Sequence, residues 1–100
     1  MKIEFLYFKD CPGHESALAL LEQILSDSYT AASIEKIEIT TPELAIQHRF
    51  LGSPSIRING KDIEGREKAS EYGLKCRIYQ DTWTGVPSEA MLCKALQEAE

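Results

Sequence analysis

Nothing in these 100 residues approaches the run of ~20 apolar residues that crosses a bilayer. The N-terminus does not read as a secretory signal. The apolar stretch from Ile3 to Phe8 is short, is interrupted by Glu4, and is followed by no small-residue cleavage site. A cytoplasmic protein without membrane contact is expected. Basic residues are also scarce: 11 Lys and Arg stand against 16 Asp and Glu, for a net charge of −5. That argues against a general nucleic-acid or anionic-membrane binder, which needs a basic face, and leaves room for a local basic patch. Cysteine is limited to Cys11, Cys76 and Cys93. An odd count in a reducing compartment argues against a disulfide framework and for a functional or simply buried thiol. There is no internal repeat, no low-complexity tract, no interdomain linker and no motif that calls for a cofactor.

What is present suffices for one domain. A chain of this length buries roughly 60–70% of its unfolded surface, so a modest core forms without staples. Ile3 to Phe8 is apolar on both faces apart from Glu4 and reads as a central strand. Asp10 or Cys11 then stands as helix N-cap, with Pro12 in the first turn. Ala17, Leu20, Leu21, Ile24 and Leu25 recur at helical spacing to about Ser28. Ser33 to Ile39 is a second strand, which makes a βαβ unit with a parallel pair.

Thr41-Pro42-Glu43 opens a short second helix, and Gly52 is available as its left-handed C-cap. Ser55 to Asn59 is a third strand. Asn59-Gly60 is a hairpin signal leading to a fourth strand, Lys61 to Glu64, with Ile63 pointing inward. The segment 65–85 is long for a loop in a small domain. In it, Leu74, Cys76 and Ile78 alternate, as a short strand or an extended segment packed on the core would; Tyr72, Tyr79 and Trp83 either nail it down or form a lid. Pro87 opens a last helix with Leu92, Ala95, Leu96 and Ala99 on its buried stripe.

The order β-α-β-α-β-β-α, with Cys11-Pro12 at the first strand–helix junction and Ser53-Pro54 before the third strand, resembles the thioredoxin fold. The likeness covers about residues 2–64 and 86–99, with 65–85 as an insertion in a single domain of residues 1–100. The resemblance implies a central mixed four-stranded sheet with helices on both faces. More narrowly, Cys11-Pro-Gly-His14, the stretch from Phe50 to Gly60 and that from Tyr72 to Tyr79 are similar to a group of small bacterial thioredoxin-like proteins. Some of these carry selenocysteine, and some bear the label alkylmercury-lyase-like, which is not an activity.

By this resemblance Cys11 matches the nucleophile of C-x-x-C, and Pro12 and Gly13 match its variable dipeptide. Pro54 matches the cis-proline facing the redox site, with the backbone of Ser53 offered to a substrate peptide or glutathione. His14 stands where the resolving cysteine would be. The resolving role is therefore open between Cys76 and an external thiol such as glutathione.

Residue chemistry gives Cys11 independent support, because a helix N-terminus stabilises a thiolate. His14, three residues on, shares that face and offers a charge or a proton relay. Cys76 is either a resolving thiol or a small buried hydrophobe. Cys93, mid-helix beside Leu92, reads as structural, and His48 as part of a helix face. The function expected is a thiol–disulfide oxidoreductase acting on a disulfide-containing protein or on glutathione. The alternative is a non-catalytic module of the same fold that binds a partner or a thiophilic metal through Cys11, His14 and Cys76.

Overall fold

In the computed structural model, residues 1–29, 32–65 and 72–100 are described. The elements are β1 (Lys2–Tyr7), α1 (His14–Ser28), β2 (Ser33–Glu38), α2 (Pro42–Gln47), β3 (Ser55–Ile58), β4 (Lys61–Asp62) and α3 (Glu89–Glu98), in the order expected from the sequence. They form an α/β structure around one mixed four-stranded sheet, ordered β2-β1-β3-β4. β1 pairs in parallel with β2, Leu6 opposite Ile37, and antiparallel with β3, Phe5 opposite Ile56.

Alternation along β1 sends Ile3 and Phe5 to one face and Leu6 to the other. Ile3, Phe5, Ile56 and Ile58 join Ala17, Leu21 and Ile24 of α1 and Leu92 and Leu96 of α3 in the larger core. Leu6 joins Ile39, Ala45 of α2 and Phe50 in the smaller one. The central strand is thus covered on both faces, as its apolar composition requires. Cys93 packs at the margin of the larger core as a free, half-buried thiol.

Local chemistry sets most boundaries. The Thr41 hydroxyl accepts from Leu44 N–H at 3.1 Å, and Pro42 fills the first position of α2. Ser88 caps α3 by accepting from Met91 N–H at 3.0 Å, so Pro87 lies before the cap rather than opening the helix. Asn59 and Gly60, both at positive φ, turn the β3–β4 hairpin.

Two expected caps are corrected. α1 begins at His14, not at Pro12. Cys11 N–H is drawn back to Phe8 O at 3.0 Å, closing a turn, and Gly13 at φ 100° serves as the N-cap. α2 ends at Gln47 with His48 as C-cap, and Arg49 rather than Gly52 takes the left-handed conformation after it. The fourth strand is also shorter than expected. It is Asp62 that is buried, while Ile63 packs on the edge of the larger core. Among the described residues no helix is long and apolar enough to cross a membrane.

Candidate functional site

β1 delivers the chain to a turn at its C-terminal end, and Cys11 sits in that turn, 2% exposed. Cys11 is joined to Cys76 by a disulfide with a Cα–Cα separation of 5.7 Å, inside the ordinary range for such a bond. The bond closes a sequence separation of 65 residues. Cys76 belongs to an extended strap, residues 72–80, and is exposed.

The strap is fixed beside Ser53 by its backbone. Ser53 N–H donates to Lys75 O at 2.8 Å, and Arg77 N–H donates to Ser53 O at 2.9 Å. These two bonds make a parallel bridge between Ser53 and Cys76. The approach is close enough to need a glycine. A Cβ on Gly52, at φ 122°, would come within 3.0 Å of Arg77 Cβ and 3.2 Å of its backbone nitrogen. The Ser53–Pro54 bond is cis.

Side chains hold the strap from the far side. The Arg77 guanidinium donates to both carboxylate oxygens of Asp62, at 2.6 and 2.7 Å, and to Glu64 Oε1 at 2.9 Å. It also lies 4.5 Å over the Tyr79 ring. Burial disfavours the Arg77 charge, but the hydrogen bonds and negative charge supplied chiefly by Asp62, with Glu64 and Tyr79, more than offset it. The net result holds the arginine pKa above its ordinary value. Tyr79 Oη donates to Pro54 O at 2.6 Å. Glu64 extends the anchor by accepting from Gln80 N–H at 3.0 Å.

Of the three alternating residues considered for core packing, Leu74 does pack against the smaller core, but from Cys76 on the alternation is reversed. Arg77 and Tyr79 are buried, while Cys76 and Ile78 lie on the exposed side, Ile78 at 52%. The buried carboxylate of Asp62 explains the reversal, because it needs a cation and hydrogen-bond donors that an aliphatic side chain cannot supply. Beyond the strap the chain doubles back, with Tyr79 N–H donating to Thr84 O at 2.8 Å. Gly85 packs against Pro12 O and Arg77 O. Tyr79 nails the segment down, as one of the two expected roles required, whereas Trp83 stands 78% exposed.

The structure brings Cys11, Cys76 and Ser53 together, with Pro12 and Gly13 in the adjoining turn. Pro54, buried, receives Tyr79. Cys11 Sγ lies 3.5 Å from both Pro12 O and Ser53 O. His14 turns its ring to the backbone of Cys11. Its Nδ1 lies 2.8 Å from Cys11 O and, since a carbonyl only accepts, carries the proton. Its ring stacks on Tyr7, centroids 5.1 Å apart. His14 thus ties the turn to β1 and α1.

Comparison with protein families, curated proteins and solved structures returned no match. The site rests on its own geometry.

The residues that sequence reasoning missed are those that place the strap: Gly52, Asp62, Glu64 and Arg77. One signal was readable, a charged Arg77 set between Cys76 and Ile78 in an otherwise apolar alternation. Among the described residues no group of three or more His, Cys, Asp or Glu side chains is gathered around a metal position. Chemically, the arrangement is one electron-pair acceptor: a disulfide between a buried and an exposed cysteine, the exposed one flanked by two backbone hydrogen bonds to Ser53.

Proposed function

We propose that the chain is a thioredoxin-like thiol–disulfide exchange protein of the cytoplasm whose working group is the Cys11–Cys76 couple. The strand order, the two-sided cover of the sheet and a cysteine at the end of β1 support the fold reading. The observation that carries the functional reading is the Ser53 bridge. Its two hydrogen bonds run from backbone to backbone and use no sulfur atom; on this reading they keep Cys76 opposite Cys11 when the bond opens, and the couple cycles without rebuilding its surroundings. In the cytoplasm a disulfide of this kind is usually transient and either catalytic or redox-sensing.

Cys76, rather than glutathione, is then the intramolecular partner of Cys11, and disulfide-containing proteins or glutathione are the external ones. The test is equilibration in glutathione redox buffers followed by acid trapping and mass measurement. A single reversible two-electron transition is expected in the wild-type chain. This intramolecular transition should be lost in both Cys11→Ser and Cys76→Ser, and thiol transfer to a small disulfide should be lost in the chain carrying both substitutions. Transfer by the doubly substituted chain at the wild-type rate would sink the proposal. Under the alternative, a module for a thiophilic metal, uptake of a soft ion appears only after reduction and thiol transfer is absent.

A further inference from the structure

The two halves of the disulfide are not equivalent toward solvent. Cys11 is 2% exposed beneath the turn, whereas Cys76 lies on the open side of the strap. An exchange reaction begins when a thiolate attacks one sulfur of a disulfide, and access decides which sulfur that is. The surroundings of Cys11 point the same way. Pro12 O and Ser53 O, each 3.5 Å from its Sγ, accept a proton donor and repel an anion. Cys11 is thus housed poorly as an attacking thiolate; the same carbonyls also slow its departure as a leaving thiolate until it is protonated, so access at Cys76 carries the assignment.

We infer that Cys76, not Cys11, is the sulfur that exchanges with external thiols and carries the mixed disulfide. The inference rests on the exchange reading above and reverses the roles expected within it. In the reducing half-reaction, an external thiolate bonds to Cys76 Sγ, the Cys11–Cys76 bond breaks, and its electron pair leaves with Cys11 Sγ. The proton shed by the external thiol is returned through solvent to Cys11, which donates it to one of the two carbonyls. A second external thiol then attacks the external sulfur of the mixed disulfide and frees Cys76. Two thiols are oxidised to one external disulfide, and the protein disulfide is reduced to a dithiol.

Mapping the first adduct tests this in the folded, oxidised chain carrying only Cys93→Ser, a substitution outside the couple. The chain is exposed briefly to reduced glutathione, quenched in acid and digested with pepsin. Glutathione is expected on the peptide containing Cys76, with Cys11 free. As a second readout, glutathione disulfide should modify Cys76 in Cys11→Ser at least about tenfold faster than Cys11 in Cys76→Ser, as access governs thiol reactivity. Glutathione found on Cys11 in the oxidised chain overturns the role assignment and leaves the exchange reading standing. A disulfide that stays intact, with no adduct on either cysteine while a small reference disulfide is reduced, overturns both.

Discussion

On one face of the sheet, Ile3, Phe5, Ile56 and Ile58 meet α1 and α3 through apolar contact. At the site, the strap is secured by a guanidinium buried against two carboxylates, by a tyrosine hydroxyl and by two backbone hydrogen bonds. The two regions answer to different rules. Apolar packing is non-directional and tolerates shifts of a few tenths of an ångström. The strap's anchors are directional, and each depends on its partner being present. On the exchange function proposed above, which requires one sulfur to be held against another over many cycles, the second kind is the more useful. The position of Cys76 is then set by hydrogen-bond geometry at Ser53, Asp62 and Pro54 rather than by the fit of side chains.

The comparison is broken most strongly by removing one member from each side. Phe5→Ala and Arg77→Ala are each expected to lower unfolding stability by about 3–5 kcal/mol, the first by leaving a cavity and the second by leaving Asp62 buried without its cation. Chemical denaturation measures both. They separate on rescue. Adding Asp62→Leu and Glu64→Leu to Arg77→Met should recover most of the lost stability, because an apolar replacement of a whole buried ion cluster is often neutral or better. No change at those positions should help Phe5→Ala.

Next in size is the disulfide. Closing a separation of 65 residues contributes about 4 kcal/mol in the chain-entropy account. The unfolding midpoint of Cys76→Ser should fall to that of the reduced wild-type chain. A midpoint well below it would mean that Cys76 contributes more than the bond.

Tyr79→Phe is smaller, about 1–2 kcal/mol, for the unpaired carbonyl of Pro54. The ion cluster gives a pH test as well. The folded-state pKa of Arg77 is raised above its already high ordinary value, so its contribution is complete below that ordinary value and declines only as the pH rises beyond it. The stability difference between wild type and Arg77→Met should therefore owe no slope to arginine ionisation across the neutral range. At the lower end, Thr41→Ala is expected to cost about 1 kcal/mol through the lost cap. Ile46→Ser, at an exposed position of α2, should stay within about 0.5 kcal/mol.

These differences also explain what could be read in advance. β1, α1, the Asn59-Gly60 hairpin and the start of α2 follow from periodicity and turn chemistry, which are local in sequence. The candidate positions Cys11, Cys76 and Ser53 were legible as residues, and a pairing of the two cysteines was left open as one option, but what holds them together was not legible. Their juxtaposition depends on Arg77 finding Asp62 and Glu64, a pairing across 13 to 15 positions that leaves no periodic trace. The start of α1 misled for a related reason. Pro12 suits a first helical turn, yet Cys11 N–H is satisfied by Phe8 O, and the helix waits for Gly13. His14 was expected to share a helical face with Cys11, whereas the helix starts at His14 itself and its ring bonds the Cys11 carbonyl.

The alternation of the strap bears on how this chain tolerates insertion and deletion. Side chains in an extended segment change sides at every residue, so a slip of one position exchanges the two sets completely. Removing Ile78 with Tyr79 kept in place would move the Arg77 guanidinium to the exposed side and turn the Cys76 thiol toward Asp62. No nearby compensation restores both. Length polymorphism should therefore be barred from residues 75–79, and the spacing between the cysteine and the arginine should be as invariant as the residues themselves.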